Sequence, residues 1–167
     1  GIRAAKQAFE SLEAHGWTPE LLNIGGGYPV QFSETDPSIE EIGEIINQEL
    51  DTIPLSIQVM GEPGRFLAGS GGCLLTQIIG MATRDQKRWL FLDTGFYGGL
   101  MEVAEKFPST IVSQRTGAVA TWALAGPTCD SIDVLGDHEL PSNIEVDDVI
   151  FMLNMGAYCT TCACDFN

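Results

Sequence analysis

The sequence predicts an α/β segment over residues 1–68 followed by an all-β, antiparallel domain over 69–167. Three observations predict it. Helical and strand periodicities alternate up to Met60, in the order helix, strand, helix, strand. That order, with connections of ordinary length, is a βαβ unit of a parallel sheet or barrel. Beyond Arg65 the texture changes, and short branched runs separated by turn residues replace the helical stripes. Both early strands run into glycine turns, Gly25-Gly26-Gly27 and Gly61-Glu62-Pro63-Gly64-Arg65. Those turns lie at strand carboxyl ends, where α/β folds bind ligands.

Each element follows from its pattern. Ile2, Ala5, Phe9 and Leu12 keep helical spacing over 2–14, and Gly16 is a stop signal. Leu21–Ile24 reads as a short buried strand. Asp36-Pro37 stands in the cap-then-proline order that starts a helix, whose apolar face is Ile39, Ile42, Ile46, Leu50 and Ile53. Leu55–Met60 reads as the next strand, bounded by Pro54 and Gly61. Gly69–Gly72 is small and flexible. Strands are then predicted over 73–83, 88–92, 110–114, 118–124 and 148–153. Arg84–Lys87 and Arg115–Gly117 read as hairpin turns. Gly136–Glu139, with His138, reads as a solvated polar loop, Asp147-Asp148 as a turn, and Trp89 and Trp122 as core residues.

Composition excludes several roles. A chain of 167 residues that is 44% hydrophobic can build a packed core of one domain or two small ones. No run of 18 apolar residues is present, so no membrane helix is expected. A formal charge of −15 repels phosphate backbones and argues against nucleic acid. Five cysteines, with no secretory pattern, point to reduced thiols in the cytoplasm. Gly1-Ile2-Arg3 opens directly into a helical pattern, so the chain is expected to be part of a longer one.

Four groups of residues carry candidate chemistry. Gly25, Gly26 and Gly27 let backbone N–H groups converge on an anion without a Cβ in the way, or else make a tight turn. Glu62 and Arg65 flank Pro63 and Gly64 at the next strand's end, as a ligand site or as a surface ion pair. Gly126-Pro127-Thr128-Cys129-Asp130 offers a thiol for proton transfer beside a carboxylate for a cation, although taken alone it reads as a hairpin connection with an incidental cysteine. Cys159, Cys162 and Cys164 supply three thiols where structural zinc wants four ligands, so no metal is expected and they read as small buried side chains.

These motifs together resemble the fold-type III pyridoxal-phosphate decarboxylases, the ornithine/lysine, arginine and diaminopimelate group. The resemblance rests on LNIGGGYP (22–29), GEPGRF (61–66), DTGFYGGLME (93–102), GPTCDSID (126–133) and NMGAY…DFN (154–167), in the family's order. The GPTCDS form is nearest the ornithine/lysine branch. The resemblance implies that residues 1–68 are the last strands of a (β/α)8 barrel. It implies that Gly25, Gly26, Gly27, Arg65 and Tyr158 hold the cofactor phosphate. Glu62 would bond the pyridine nitrogen, keeping it protonated so that the ring can accept electrons. Cys129 would return a proton to the substrate, Asp130 would read its distal amine, and Phe166 would close the pocket across a homodimer with shared sites. The implied activity is decarboxylation of ornithine or lysine to the diamine, in polyamine synthesis. The alternatives are a diaminopimelate or arginine decarboxylase, or a non-catalytic regulatory homologue. The family's Schiff-base lysine lies earlier in its barrel, and Lys6, Lys87 and Lys106 lack its setting, so this chain alone is expected to be inactive. Glu102 and Glu105 both lie near the place of the family's second acidic substrate residue.

Overall fold

A computed structural model describes every residue except Leu55 and Asn167. The chain divides into two compact units, Gly1–Phe66 and Leu67–Asn167.

The first unit contains α1 (Ile2–Ala14), β1 (Leu21–Asn23), α2 (Ile39–Leu50), β2 (Gln58–Met60) and the start of α3 (Gly64–Ala68). Strands β1 and β2 pair in parallel, Leu21 with Gln58 and Asn23 with Met60. Leu22, Ile53 and Ile57 are buried, and Ile2, Ala5, Phe9, Ile24 and Leu50 pack against them. Helix α1 thus packs there through Ile2, Ala5 and Phe9 of its stripe, and α2 through Leu50. Two local expectations need correction. Helix α2 starts at Ser38, not at Asp36-Pro37: Ser38 Oγ accepts from the Glu41 N–H at 3.1 Å, and Glu41 Oε2 accepts from the Ser38 N–H at 2.9 Å. This reciprocal cap satisfies two orphan donors, while Asp36 Oδ2 accepts from the Phe32 and Ser33 N–H groups and closes the preceding turn. The second strand is shorter than 55–60, because the Ile57 N–H donates back to the Pro54 carbonyl in a turn. Leu55 lies outside the described residues.

The second unit is a six-stranded sheet in the order β5-β8-β3-β4-β6-β7. The strands are β3 (Cys73–Arg84), β4 (Lys87–Leu92), β5 (Thr110–Ser113), β6 (Val119–Ala125), β7 (Val134–Pro141) and β8 (Val149–Leu153), with the short helix α4 (Met101–Ala104) between β4 and β5. The edge strands β5 and β7 approach each other, so the sheet curls almost closed. Its core includes Ile78, Leu90, Leu92, Leu100, Trp122, Leu124, Leu135, Leu140, Ile150 and Met152. The predicted turn at 84–87 is a two-residue hairpin: Asp85 and Gln86 take φ of 50° and 63°, the pair of positive values a primed turn demands.

The sheet is mixed rather than antiparallel. Strands β4 and β6 run parallel, with Leu90 opposite Leu124. The segment between them holds α4 and β5, long enough for the crossover that a parallel pair requires. For the same reason Arg115–Gly117 is not a hairpin. Strand β5 pairs β8, and β6 pairs β4 and β7. Arg115 instead binds Glu145 at 2.8 Å and Asp148 at 2.5 Å. The expected loop at 136–139 is the middle of β7. His138 is half-buried opposite Trp122, and its Nε2 lies 2.9 Å from the Leu135 carbonyl. Trp122 is core, whereas Trp89 is half-buried and stacks on Phe91 outside the core cluster.

Candidate active site

In the first unit the chain ends of β1 and β2 build one face. Asn23 closes β1, and its side chain works in two directions. Its Oδ1 accepts from the Gly25 N–H at 2.8 Å, and its Nδ2 donates to Glu62 Oε1 at 2.6 Å. The Glu62 N–H donates to the Gly25 carbonyl at 2.7 Å. The glycine turn and the Glu62 carboxylate are thus fixed to each other. Gly25 and Gly27 take φ of 75° and 84°, a region that L side chains rarely adopt. A Cβ on either would meet open space, whereas one on Gly26 would collide with the Glu62 carbonyl oxygen. The turn is therefore sealed on its inner side and open where an anion can approach. Arg65 is half-buried in the first turn of α3, three residues after Glu62.

In the second unit the Cys129–Asp130 turn is held from beneath by Asp133. Asp133 is 2% exposed. Its Oδ1 accepts from the Phe96 N–H at 2.7 Å, and its Oδ2 from the Thr128 N–H at 3.0 Å and the Thr128 hydroxyl at 2.7 Å. Gly95 and Gly126 lie so close to this carboxyl that a Cβ on either would strike it. One side chain therefore binds the 126–133 turn to the segment carrying Tyr97. The Tyr97 hydroxyl donates to Asp130 Oδ2 at 2.5 Å, and its ring lies 4.2 Å from that of Phe166. The bond to Tyr97, helped by the Ile132 N–H, holds the Asp130 carboxyl below the usual carboxylate range. The same bond, with burial, pushes the Tyr97 hydroxyl up to about 12. Asp130 is consequently an anion at neutral pH, suited to an ammonium group, with the exposed Cys129 thiol next to it.

The predicted site residues fall into two sets. Gly25, Gly26, Gly27, Glu62 and Arg65 belong to the first unit; Cys129, Asp130, Tyr158 and Phe166 belong to the second. Tyr158 takes φ of 56° and lines a cleft of about 320 Å³ with Gly72, Cys73, Gly156 and Cys159. Glu102 is half-buried on α4 and Glu105 is exposed at its end. Of the three C-terminal cysteines only Cys159 is buried; Cys162 is half-buried and Cys164 exposed. This corrects their reading as buried fillers, because the segment folds as a surface turn. Among the described residues no group of His, Cys, Asp and Glu has the geometry to hold a metal. Asn23, Tyr97 and Asp133 were given no role by sequence reasoning. Their one visible signal is position, each inside or beside a glycine motif.

The first unit thus carries a strand-end glycine turn tied to a fixed carboxylate, and the second presents an exposed thiol beside an ionised carboxylate. The chain belongs to the pyridoxal-dependent decarboxylases, whose C-terminal sheet domain matches residues 35–156. The family's cofactor is pyridoxal phosphate. The chain is 31% identical over 170 residues to the lysine/ornithine decarboxylase of Selenomonas ruminantium, across 99% of this chain and 43% of that protein. The lysine/ornithine decarboxylase of Vibrio vulnificus, solved with cadaverine, superposes with a TM-score of 0.87 at 30% identity, covering 99% of this chain and 46% of that one. The arginine decarboxylase of Paramecium bursaria Chlorella virus, solved with agmatine, gives 0.84 at 31%, again over 99% and 46%. The chain thus spans under half the length of these relatives. The donor set fits the cofactor: an open glycine turn suits a phosphate, and a positioned carboxylate suits a pyridinium N–H.

Proposed function

We propose that the full-length protein decarboxylates ornithine or lysine, and that residues 1–68 are the last strands of its (β/α)8 barrel, followed by the sheet domain over 69–167. Pyridoxal phosphate, when bound, supplies the electron sink that takes up the pair left by departing CO2. Gly25, Gly26, Gly27, Arg65 and Tyr158 grip its phosphate. Glu62, steadied by Asn23, keeps the ring nitrogen protonated. Asp130 binds the distal ammonium of the substrate, Cys129 delivers a proton to the substrate Cα, and Phe166 shields the pocket from water. In this reading the two residue sets meet across a homodimer, the sheet domain of one subunit serving the barrel of its partner. Free cysteines agree with a cytoplasmic setting.

The observation that carries the substrate class is the Asp130 carboxylate, ionised and oriented by Tyr97 beside Cys129. The test is CO2 release by the full-length protein from carboxyl-labelled ornithine, lysine, arginine and diaminopimelate. Turnover of ornithine or lysine above the others is expected; preference for arginine or diaminopimelate, or no release at all, overturns the assignment. Glu62→Gln is expected to lower the rate by orders of magnitude while bound cofactor, read by absorbance, stays near wild type. An unchanged rate removes Glu62 from the ring nitrogen.

A further inference from the structure

The segment after Tyr158 contains chemistry that decarboxylation does not use. Cys159 and Cys162 are the ends of a single 3-10 turn, closed by the Cys162 N–H donating to the Cys159 carbonyl at 2.9 Å. Residues so joined have Cα atoms within about 7 Å, inside the range a disulfide bridges. Both are free thiols here. Cys159 is 5% exposed, and its Sγ is seated beside Gly99, where an added Cβ would lie 3.1 Å away. Burial, with Cys162 and Glu102 as electrostatic neighbours, pushes the Cys159 thiol up. Cys162 is half-buried and open to solvent, near the Thr161 hydroxyl. One thiol is therefore accessible and the other is stored behind it, the arrangement of an attacking and a resolving cysteine.

We propose that Cys159 and Cys162 form a redox-active dithiol that a hydroperoxide closes and a small thiol reopens. The Cys162 thiolate attacks the peroxide, the O–O bond breaks, and sulfenic acid forms while the alcohol or water leaves with a proton. The Cys159 sulfur then attacks the Cys162 sulfur. The S–O bond breaks, the S–S bond forms, and hydroxide departs as water with the Cys159 proton. Two thiols lose two electrons, and the peroxide takes them. Two equivalents of a thiol such as glutathione reverse the step by exchange. Closure draws Cys159 away from Gly99. Tyr158 precedes it, and the Cys164 N–H donates to the Tyr97 carbonyl at 2.9 Å. Oxidation thus loosens both Tyr158 and the aromatic contact of Phe166. This second consequence rests on the decarboxylase reading.

The experiment is peptide mapping of the full-length holoprotein, without reduction, after brief hydrogen peroxide and after subsequent glutathione. The expected result is one peptide in which Cys159 and Cys162 have together lost two hydrogens, restored by glutathione and absent in Cys162→Ser. Bound cofactor is expected to fall several-fold on oxidation of wild type and to stay constant in Cys162→Ser, with Cys159→Ser as a second control. Continued alkylation of both thiols after peroxide overturns the proposal, as does pairing of Cys162 with Cys164 or of Cys159 with Cys73. A bridge with unchanged cofactor content overturns the control of the site. A protein that never takes up pyridoxal phosphate overturns the decarboxylase reading instead, and the map still decides the dithiol.

Discussion

Asp130 and Asp133 are three residues apart and do different work. Asp130 is half-buried and ionised, accepting from the Tyr97 hydroxyl and the Ile132 N–H; Asp133 is buried and ties the 126–133 turn to Phe96. On the proposed reading, Asp130→Ala in the full-length protein removes a charge-assisted hydrogen bond to the substrate worth about 1.5–3 kcal/mol. A loss of at least roughly tenfold in kcat/KM for ornithine or lysine is expected, and a much smaller loss for a substrate without a distal amine. Mixing that subunit with one lacking the catalytic lysine should restore part of the activity, because one hybrid site is intact. Equal losses on both substrates, or a dead hybrid, contradict the shared-site reading. Asp133→Ala leaves buried N–H donors unpaired, each costing about 1–3 kcal/mol. Its expected signature is a lower denaturation midpoint together with impaired turnover. The glycine turns and the Cys129–Asp130 pair were legible in the sequence, since strand, glycine and carboxylate are neighbours there. Asn23, Tyr97 and Asp133 were not, because their partners lie 39, 33 and 37 residues away.

At the level of elements, legibility followed the strength of periodicity. The βαβ order, α1 and the 84–87 hairpin were readable from spacing and turn residues. Strand β7 was not: Asp137, His138 and Glu139 occupy its centre, and the buried side chains that declare it, Leu135 and Leu140, are five residues apart, off the period of two because the register shifts between Val134 and Gly136. Leu135 is 1% exposed, so Leu135→Ala is expected to cost about 2–5 kcal/mol in chemical denaturation. A cost below about 1 kcal/mol would fit the solvated loop the sequence suggested. The true helix start was present as Ser38 and Glu41 but was masked by the more conspicuous Asp36-Pro37. Ser38→Ala is expected to cost about 1 kcal/mol.

For the whole molecule, charge sets the pH response. At −15 the chain repels itself, and that repulsion relaxes as pH falls toward the isoelectric point near 4.2. Below that, a second effect takes over. Asp148, held low chiefly by its bond to Arg115, and Asp36 and Asp130 all have folded-state values below their ordinary ones. Such groups stabilise the fold above the ordinary carboxylate pKa and lose that contribution as pH falls through the lowered value. Stability against urea should therefore hold or rise down to about pH 4.5 and drop below about pH 4, with Arg115→Met flattening the acid limb. A monotonic decline from pH 7 would contradict this. The order of the sheet also has a consequence during synthesis. Strand β3 gives its second half to β4 next door, but its first half, Cys73–Gln77, pairs with β8, which follows much later in the chain. Strand β5 has the same partner. A nascent chain that has not yet released Val149–Leu153 from the ribosome thus carries an unpaired β5 and a half-paired β3, and arresting translation there should yield chains that bind chaperones until β8 emerges.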